Sequence, residues 1–478
     1  MKVNEIPLFY NKEALSFINN FEKAKTGAFR KFKSSLNGID HVELRCDKRE
    51  FRVEFDLNKF YKGQNNLGVG TKIEKVKFDY GEETVIFKSL YIDQFSNENL
   101  RCSVSQLHSE GFSKSTKQYF KLVIPFSDSL MIHYQIENIL YLNDRGTSSV
   151  LATKINLNDE EIFILEDKDE FKNRCIIIES KKKQTYEEFS NKTFSIRVAL
   201  GYVTGYFPGN RGYFFSYSNS KMEKWKNFYF STLRDDLKTL MNPININPHA
   251  WLHGYQKQAE KLYKLKVYKK LEIKSFSILC NKLLLDDNFL ATILLIIEST
   301  KASLIFRPGG YSIALETLSD IIIGNEKEKI APINSKKDFK ELKAELFEIL
   351  YKHSIKESFI DINTLKVRLD NLNQITNLES LKRPFSILNI ELLDEDIKVI
   401  RSRNDFLHGR VPDFNNAGVN RSIDSKDYDL FYASVRLYTL LNLLIFKMIG
   451  FDSYLLNFPK IYERNTKFKV KEDFYRKV

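Results

Sequence analysis

The stretch "MNPININPHAW", Met241–Trp251, separates two kinds of sequence. Pro243 and Pro248 lack a backbone donor and fix φ, so neither a strand nor a helix is expected to run through it. Before it, residues 38 to about 180 read mostly as strands. "HVELRCDKREFRVEFDL" (41–57) alternates apolar and polar residues. "YFKLVIPF" (119–126), "LMIHYQI" (130–136), "IFILED" (162–167) and "RCIIIES" (174–180) are short apolar runs between polar turns. Residues 184–203 predict one helix with Phe189, Ile196, Leu200 and Val203 on a face, followed by an aromatic hairpin around Pro208, Gly209 and Asn210. After the divide, helical patterns run over about 251–283, 288–306, 311–323, 336–353, 391–408 and 427–449. In the last of these Leu437, Leu440, Leu441, Leu444 and Met448 share the core-facing side of a bundle helix. The expected fold class is α+β: a β-rich domain, sandwich or barrel-like, over 1–245, then an all-α bundle over 246–478.

With 478 residues, 43% apolar and 28% charged, the chain reads as a soluble globular protein with more than one core. Its 38 Phe and 24 Tyr exclude an unfolded chain. A net charge of +12 points to a polyanionic partner, nucleic acid before an acidic membrane surface. Cys46, Cys102, Cys175 and Cys280 are dispersed, without a CxxC pair, which favours a reducing cytoplasm over a disulfide framework or zinc site. The first residues hold no continuous apolar core, so no signal peptide is read. Two long apolar runs carry internal polar groups: Glu298 and Lys301 in 288–306, and Asn442, Lys447 and Asp452 in 437–456. They are expected to be buried bundle helices, and no membrane partner is expected.

The sharpest candidate for chemistry is "RSRNDFLHGR", residues 401–410. On a continuous helix Ile397, Ile400 and Leu407 form one stripe, and Asn404 falls in it where a core helix would place an apolar residue. Arg401, Asn404 and His408 share a face, whereas Arg403 starts about 140° from His408 and must reach back with its long side chain. Gly409 suits the position just past a helix, which would end it at His408, the negative end of the helix dipole. Phosphate-pairing guanidinium groups, an amide and a proton-moving imidazole are what phosphodiester cleavage uses, and no metal or other cofactor is called for. Roughly one Arg-x(4–6)-His match is expected by chance in such a chain. Arg101 and His108 in "RCSVSQLHSE" supply one, within the β-rich half. Asn404 directly after Arg403, the helical context and Gly409 set the decapeptide apart; the bland alternative is a solvated helix end.

"RNDFLH" (403–408) resembles the Arg-polar-x3-His signature of HEPN domains, helical bundles that include many metal-independent ribonucleases. The likeness covers roughly 250–478, and the order of the halves resembles the ApeA-type anti-phage abortive-infection proteins. The resemblance implies a homodimer in which two motifs face one cleft. Carried onto this chain, Arg403 would bind the scissile phosphate, His408 would act on the proton and Asn404 would orient them. Arg401 and Arg410 are candidate substrate-binding residues, and Arg401 rivals Arg403 at the longer permitted spacing. The implied protein is a cytoplasmic, toxin-like endoribonuclease that cuts a host RNA such as tRNA. It would leave 2′,3′-cyclic phosphate and 5′-OH ends. A phage-encoded activator is the implied trigger, and the β-rich half would sense a phage component, restrain the nuclease or position RNA.

Other motifs carry less. His249 and His253 ("HAWLH") stand at i, i+4 as metal pairs do, but no acidic third ligand lies beside them, so capping or packing is expected. "RPGGYS" (307–312) has the composition of a phosphate cradle, with a plain interhelical loop the favoured reading. Residues 255–274, with interleaved lysines and tyrosines, read as an RNA-backbone contact or a solvated helix face. Lys181–Lys183 reads as a solvated turn. Two competing functions are a non-catalytic HEPN-like module that binds RNA or a partner, and a ligand-binding β-domain joined to a helical dimerisation domain. The latter draws on the aromatic residues of 202–217.

Overall fold

The computed structural model describes residues 9–23, 42–46, 51–56, 68–80, 83–95, 99–126, 132–142, 149–244, 269–324, 332–356, 361–414 and 422–478, with 260, 264 and 418. The architecture is α+β, a strand-rich region followed by a helical one. The chain divides into two compact units, Met1–Leu290 and Ala291–Val478. The boundary expected at 245/246 lies outside the described residues. In the first unit a helix at Ile273–Leu285 packs on strand Ser149–Leu157 and on helix Tyr186–Thr204.

Among the described residues, the first unit is built on one antiparallel sheet of twelve strands. These are β1 (Val42–Cys46), β2 (Phe51–Asp56), β3 (Lys72–Tyr80), β4 (Glu83–Phe95), β5 (Asn99–Ser109), β6 (Gln118–Phe126), β7 (Ile139–Leu142), β8 (Ser149–Leu157), β9 (Glu160–Lys168) and β10 (Arg174–Gln184), with β12 (Arg211–Tyr217) and β13 (Asn227–Thr232). The short β11 (Tyr206–Phe207) pairs separately with β14 (Leu237–Lys238). The sheet branches at β5. β4 runs along one side of β5, while β2 and β13 share its other side, β2 pairing with Asn99–Val104 and β13 with Gln106–His108. From β13 the order continues β12, β6, β10, β9, β8, β7.

Among the described residues, α1 (Lys12–Lys23), α2 (Ile132–Gln135) and α3 (Tyr186–Thr204) accompany these strands, together with the helix Ile273–Leu285. β12 explains why two of them cover opposite faces. Its alternation points Phe215 at Phe17 of α1 (5.9 Å between centroids) and Phe214 at Phe189 of α3 (6.2 Å). Both faces of the strand are therefore buried, and its sequence reads as a continuous aromatic run. A helix covers each face at β12, and one apolar face from β2 to β10 joins a single core around α1. α3 fulfils its expectation. Thr185 and Glu188 form a capping box, and Gly205 at φ +75° ends the helix.

Buried charge ties α1 to the sheet. The Lys121 ammonium lies 3.1 Å from the carboxylate of its cross-strand neighbour Glu179, both fully buried. It also donates to the Tyr10 carbonyl (2.7 Å) and to Asn11 Oδ1 (3.1 Å). Burial works to raise the Glu179 pKa, but Lys121 and Lys181 prevail and hold it below the ordinary carboxylate value. Lys181, read as part of a solvated turn, is thus an ion-pair partner within β10.

The helices continue as α4 (Ile273–Leu285), α5 (Asp287–Ser299), α6 (Arg307–Ile323), α7 (Lys336–Lys356), α8 (Ile362–Asp370), α9 (Asn377–Ile387), α10 (Asp394–Arg401), α11 (Arg403–Leu407) and α12 (Ile423–Met448). The division between units falls inside α5. The chain closes with β15 (Tyr454–Leu456), α13 (Phe458–Ile461), α14 (Glu463–Thr466) and β16 (Tyr475–Lys477). α12 is the centre of the second unit. It is long and apolar enough to cross a membrane, yet 94% of its apolar window is buried. Tyr438 packs between Tyr311 of α6 (5.7 Å) and Phe458 (5.0 Å).

Several expectations need correction. "LMIHYQI", read as a strand, forms α2 among the described residues, because the Glu166 carboxylate accepts the Ile132 N–H and starts a helical turn. The helix expected over 251–283 does not include 269–272, where Leu271 instead bridges to Ile136. The helix expected over 288–306 stops at Ser299, and "RPGGYS", favoured as a plain interhelical loop, forms the first turns of α6, with Pro308 tolerated there. The helix expected over 391–408 breaks at Ser402. α1, α8 and α9 were not anticipated.

Candidate functional site

The helix break reshapes the decapeptide. Ser402 takes φ −79° and ψ 3°, and its hydroxyl donates back to the Lys398 carbonyl at 3.1 Å. Such a back-bond offers the backbone an alternative to the continuing helix ladder. Arg401 therefore ends one helix and Arg403 opens the next, so Arg401 no longer shares a continuous helical face with Asn404 and His408. α11 is held by Phe406, which is buried and packs near Phe414 (6.5 Å). It ends as the glycine predicts. Gly409, at φ +67°, donates its N–H to Phe406 O, and Arg410 N–H reaches Asp405 O at 2.7 Å, a Schellman closure.

Arg403 and Asn404 come together. Nη1 of Arg403 donates to Asn404 Oδ1 at 2.5 Å, and Nη2 forms an ion pair with Glu316 of α6. The Arg403 side chain is 16% exposed, and its Nε is buried without a hydrogen-bond partner. Burial lowers the guanidinium pKa below its ordinary value. His408 is exposed at the far end of α11, and its imidazole has no hydrogen-bond or ion-pair partner among the described residues. Arg401 is exposed and likewise unpartnered among them. Arg410 is exposed and stands 3.9 Å from the Asp405 carboxylate. The structure thus joins Arg403 to Asn404, leaves His408 open, and joins neither Arg401 nor Arg410 to them.

A groove of about 730 Å³ adjoins the turn. Ile305, Phe306 and Ile313 line it together with Leu407 and Gly409, the neighbours of His408 on either side. Phe306 is 73% exposed, so the wall beside the histidine is apolar and open.

Beneath the turn sits a charge network. Arg436 is fully buried on α12 and binds Asp396 (2.8 Å) and Glu472 (2.5 Å), while Arg476 reaches Asp396 at 2.9 Å. Asp396 also accepts the Leu393 N–H at 3.0 Å, which starts α10. The network fixes α10 and hence the point at which the decapeptide begins.

Glu316 and this network were both missed in the sequence. Glu316 left a signal: in "ALETL" it is one carboxylate in an otherwise uncharged helical turn. His249 and His253 lie outside the described residues, as does most of 255–268. Among the described residues no group of three His, Cys, Asp or Glu side chains converges as metal ligands would. No protein-family model matches the chain, and no curated protein or solved structure matches it.

Proposed function

We propose that the chain is an endoribonuclease of HEPN type, acting as a homodimer, whose active centre is the turn Arg403–His408. One observation supports this most: α11 carries at its start a guanidinium bonded to Asn404 and ion-paired with Glu316, and at its end an unpartnered, exposed imidazole. The rise per residue separates these two positions by about 7.5 Å along the axis. The ribose 2′-OH would attack the adjacent phosphorus as its proton passes to His408. The P–O5′ bond would break, and the partner subunit's His408 would protonate the leaving 5′ oxygen. Arg403 would neutralise charge on the non-bridging oxygens. The nucleophile belongs to the substrate, so this chemistry needs no metal, and DNA would be refused for lack of it. A host RNA as target and growth arrest on phage infection belong to the same proposal.

A non-catalytic helical module is the competing reading, favoured by the ion pair that commits Arg403 to Glu316. Expression in a bacterial host separates the two. Growth arrest and RNA damage that vanish in a folded His408→Ala variant are the expected outcome. Arrest that persists in that variant would favour the module. Excess His408→Ala protomer should poison wild-type cleavage, whereas activity proportional to the wild-type fraction would contradict a shared cleft.

A further inference from the structure

The Arg403–Glu316 pair looks at first like a simple tie between α11 and α6, but the atoms around it assign it more. A guanidinium carries one N–H on Nε and two on each Nη. Nε of Arg403 is buried without a partner, so a side-on grip through Nε and one Nη is closed to any ligand. Nη1 gives one N–H to Asn404, and Nη2 is ion-paired with the Glu316 carboxylate. Each Nη keeps a second N–H. What remains is an end-on fork, the geometry that suits two oxygens of one phosphate. A hydrogen bond from α11 and an ion pair from α6 hold that fork, and the side chain remains 16% exposed.

α6 is built to bring the carboxylate there. Gly309, Ile313 and Glu316 lie at i, i+4 and i+7 on one face of it. At Gly309 that face runs close to α11: an added Cβ would stand 3.6 Å from the Phe406 carbonyl oxygen. The same stripe therefore meets α11 at Phe406 and again at Arg403. Glu316 is itself 33% exposed and sits within reach of solvent and of a bound polyanion.

We infer that Glu316 is a positioning residue, which holds the Arg403 fork toward the scissile phosphate. This role rests on the ribonuclease reading above. A carboxylate beside a phosphate site repels the ligand, so its value lies in orientation and not in affinity. Losing it frees the fork to rotate, and a misplacement of about 1 Å costs on the order of 100-fold in rate.

The test compares Glu316→Ala and Glu316→Gln with wild type on an RNA cut by the purified dimer, at a temperature where all are folded. Glu316→Ala is expected to lower kcat by about 10- to 100-fold while KM stays level or falls, since a negative charge is gone. Glu316→Gln keeps an acceptor oxygen and is expected to recover most of that loss. Three outcomes overturn the inference. Unchanged kcat in a destabilised Ala variant means a purely structural tie. Raised kcat in both variants means that Glu316 masks the arginine. A fall in kcat equal in Ala and Gln means that charge and not geometry matters. Failure of the underlying reading looks different: wild type would cut no RNA, or Arg403→Ala would cut as well as wild type. Either result removes the role with it.

Discussion

Arg436 and Arg403 belong to the same helical unit and live under opposite rules. Arg436 is fully buried between Asp396 and Glu472, with its guanidinium 5.1 Å from the Tyr432 ring centre. Burial works to lower its pKa, but Tyr432, Asp396 and Glu472 outweigh it and raise the value. Arg403 has one carboxylate and a neighbouring amide, and burial lowers its pKa. The first arginine has its charge matched by carboxylates on two sides and serves the fold. The second is held by one carboxylate and one amide at a partly exposed position, with N–H groups left over that suit a grip on an anion.

Replacing each arginine in turn should break the comparison if it is false. Arg436→Met leaves buried Asp396 short of a partner and is expected to cost about 3–5 kcal/mol in denaturant unfolding. A loss below about 1 kcal/mol would mean that Arg476 alone satisfies the carboxylate. Arg403→Ala should move stability by no more than about 1 kcal/mol. Its RNA cleavage should nonetheless fall by about 100- to 1000-fold.

The next contrast is sharper and smaller. Arg403→Lys keeps the charge and loses the fork, so it is expected to remain severely impaired in kcat. Arg401→Lys, at an exposed and unpartnered position, should mainly weaken RNA binding and soften its salt dependence. The reverse ranking in two equally folded variants would move the phosphate role to Arg401.

Carboxylates repeat the pattern with the smallest expected effect. Glu179 has two lysines and a lowered pKa, whereas Glu166 accepts the Ile132 N–H and is pushed up to about 7 by burial, which Arg174 and Lys168 only partly oppose. Between pH 4.5 and about 7 the folded chain therefore holds a proton at Glu166 that the unfolded chain has released. Stability from this group is present at the acid side and is lost as pH rises through that window. Glu166→Gln should flatten that part of a plot of unfolding midpoint against pH. An unaltered slope would place the titration elsewhere.

What the sequence made legible follows from how local each signal was. α3 was readable because its cap, its apolar face and its terminating glycine all lie within Thr185–Gly205. Gly409 was readable for the same reason. The break at Ser402 was not, since neither proline nor glycine marks it and the serine back-bond forms only in the folded chain. Continuous-helix geometry had favoured Arg401, which shared a face with Asn404 and His408, and the break takes that advantage away. Glu316 stood out as a lone carboxylate, but its pairing was not legible because its partner is distant in sequence and only the packing of α6 on α11 brings them together. "LMIHYQI" failed as a strand for a similar reason: the carboxylate that turns it into a helix sits on β9.

The central claim is that Arg403–His408 is an RNA-cleaving centre, and end-group analysis tests it most directly. Purified protein would be incubated with total tRNA in EDTA, beside a folded His408→Ala variant, and the termini of the fragments identified. The expected result is cleavage by wild type alone, with 2′,3′-cyclic phosphate and 5′-OH ends. Cleavage that disappears with chelation and returns with magnesium, or equal cutting by His408→Ala, would contradict it.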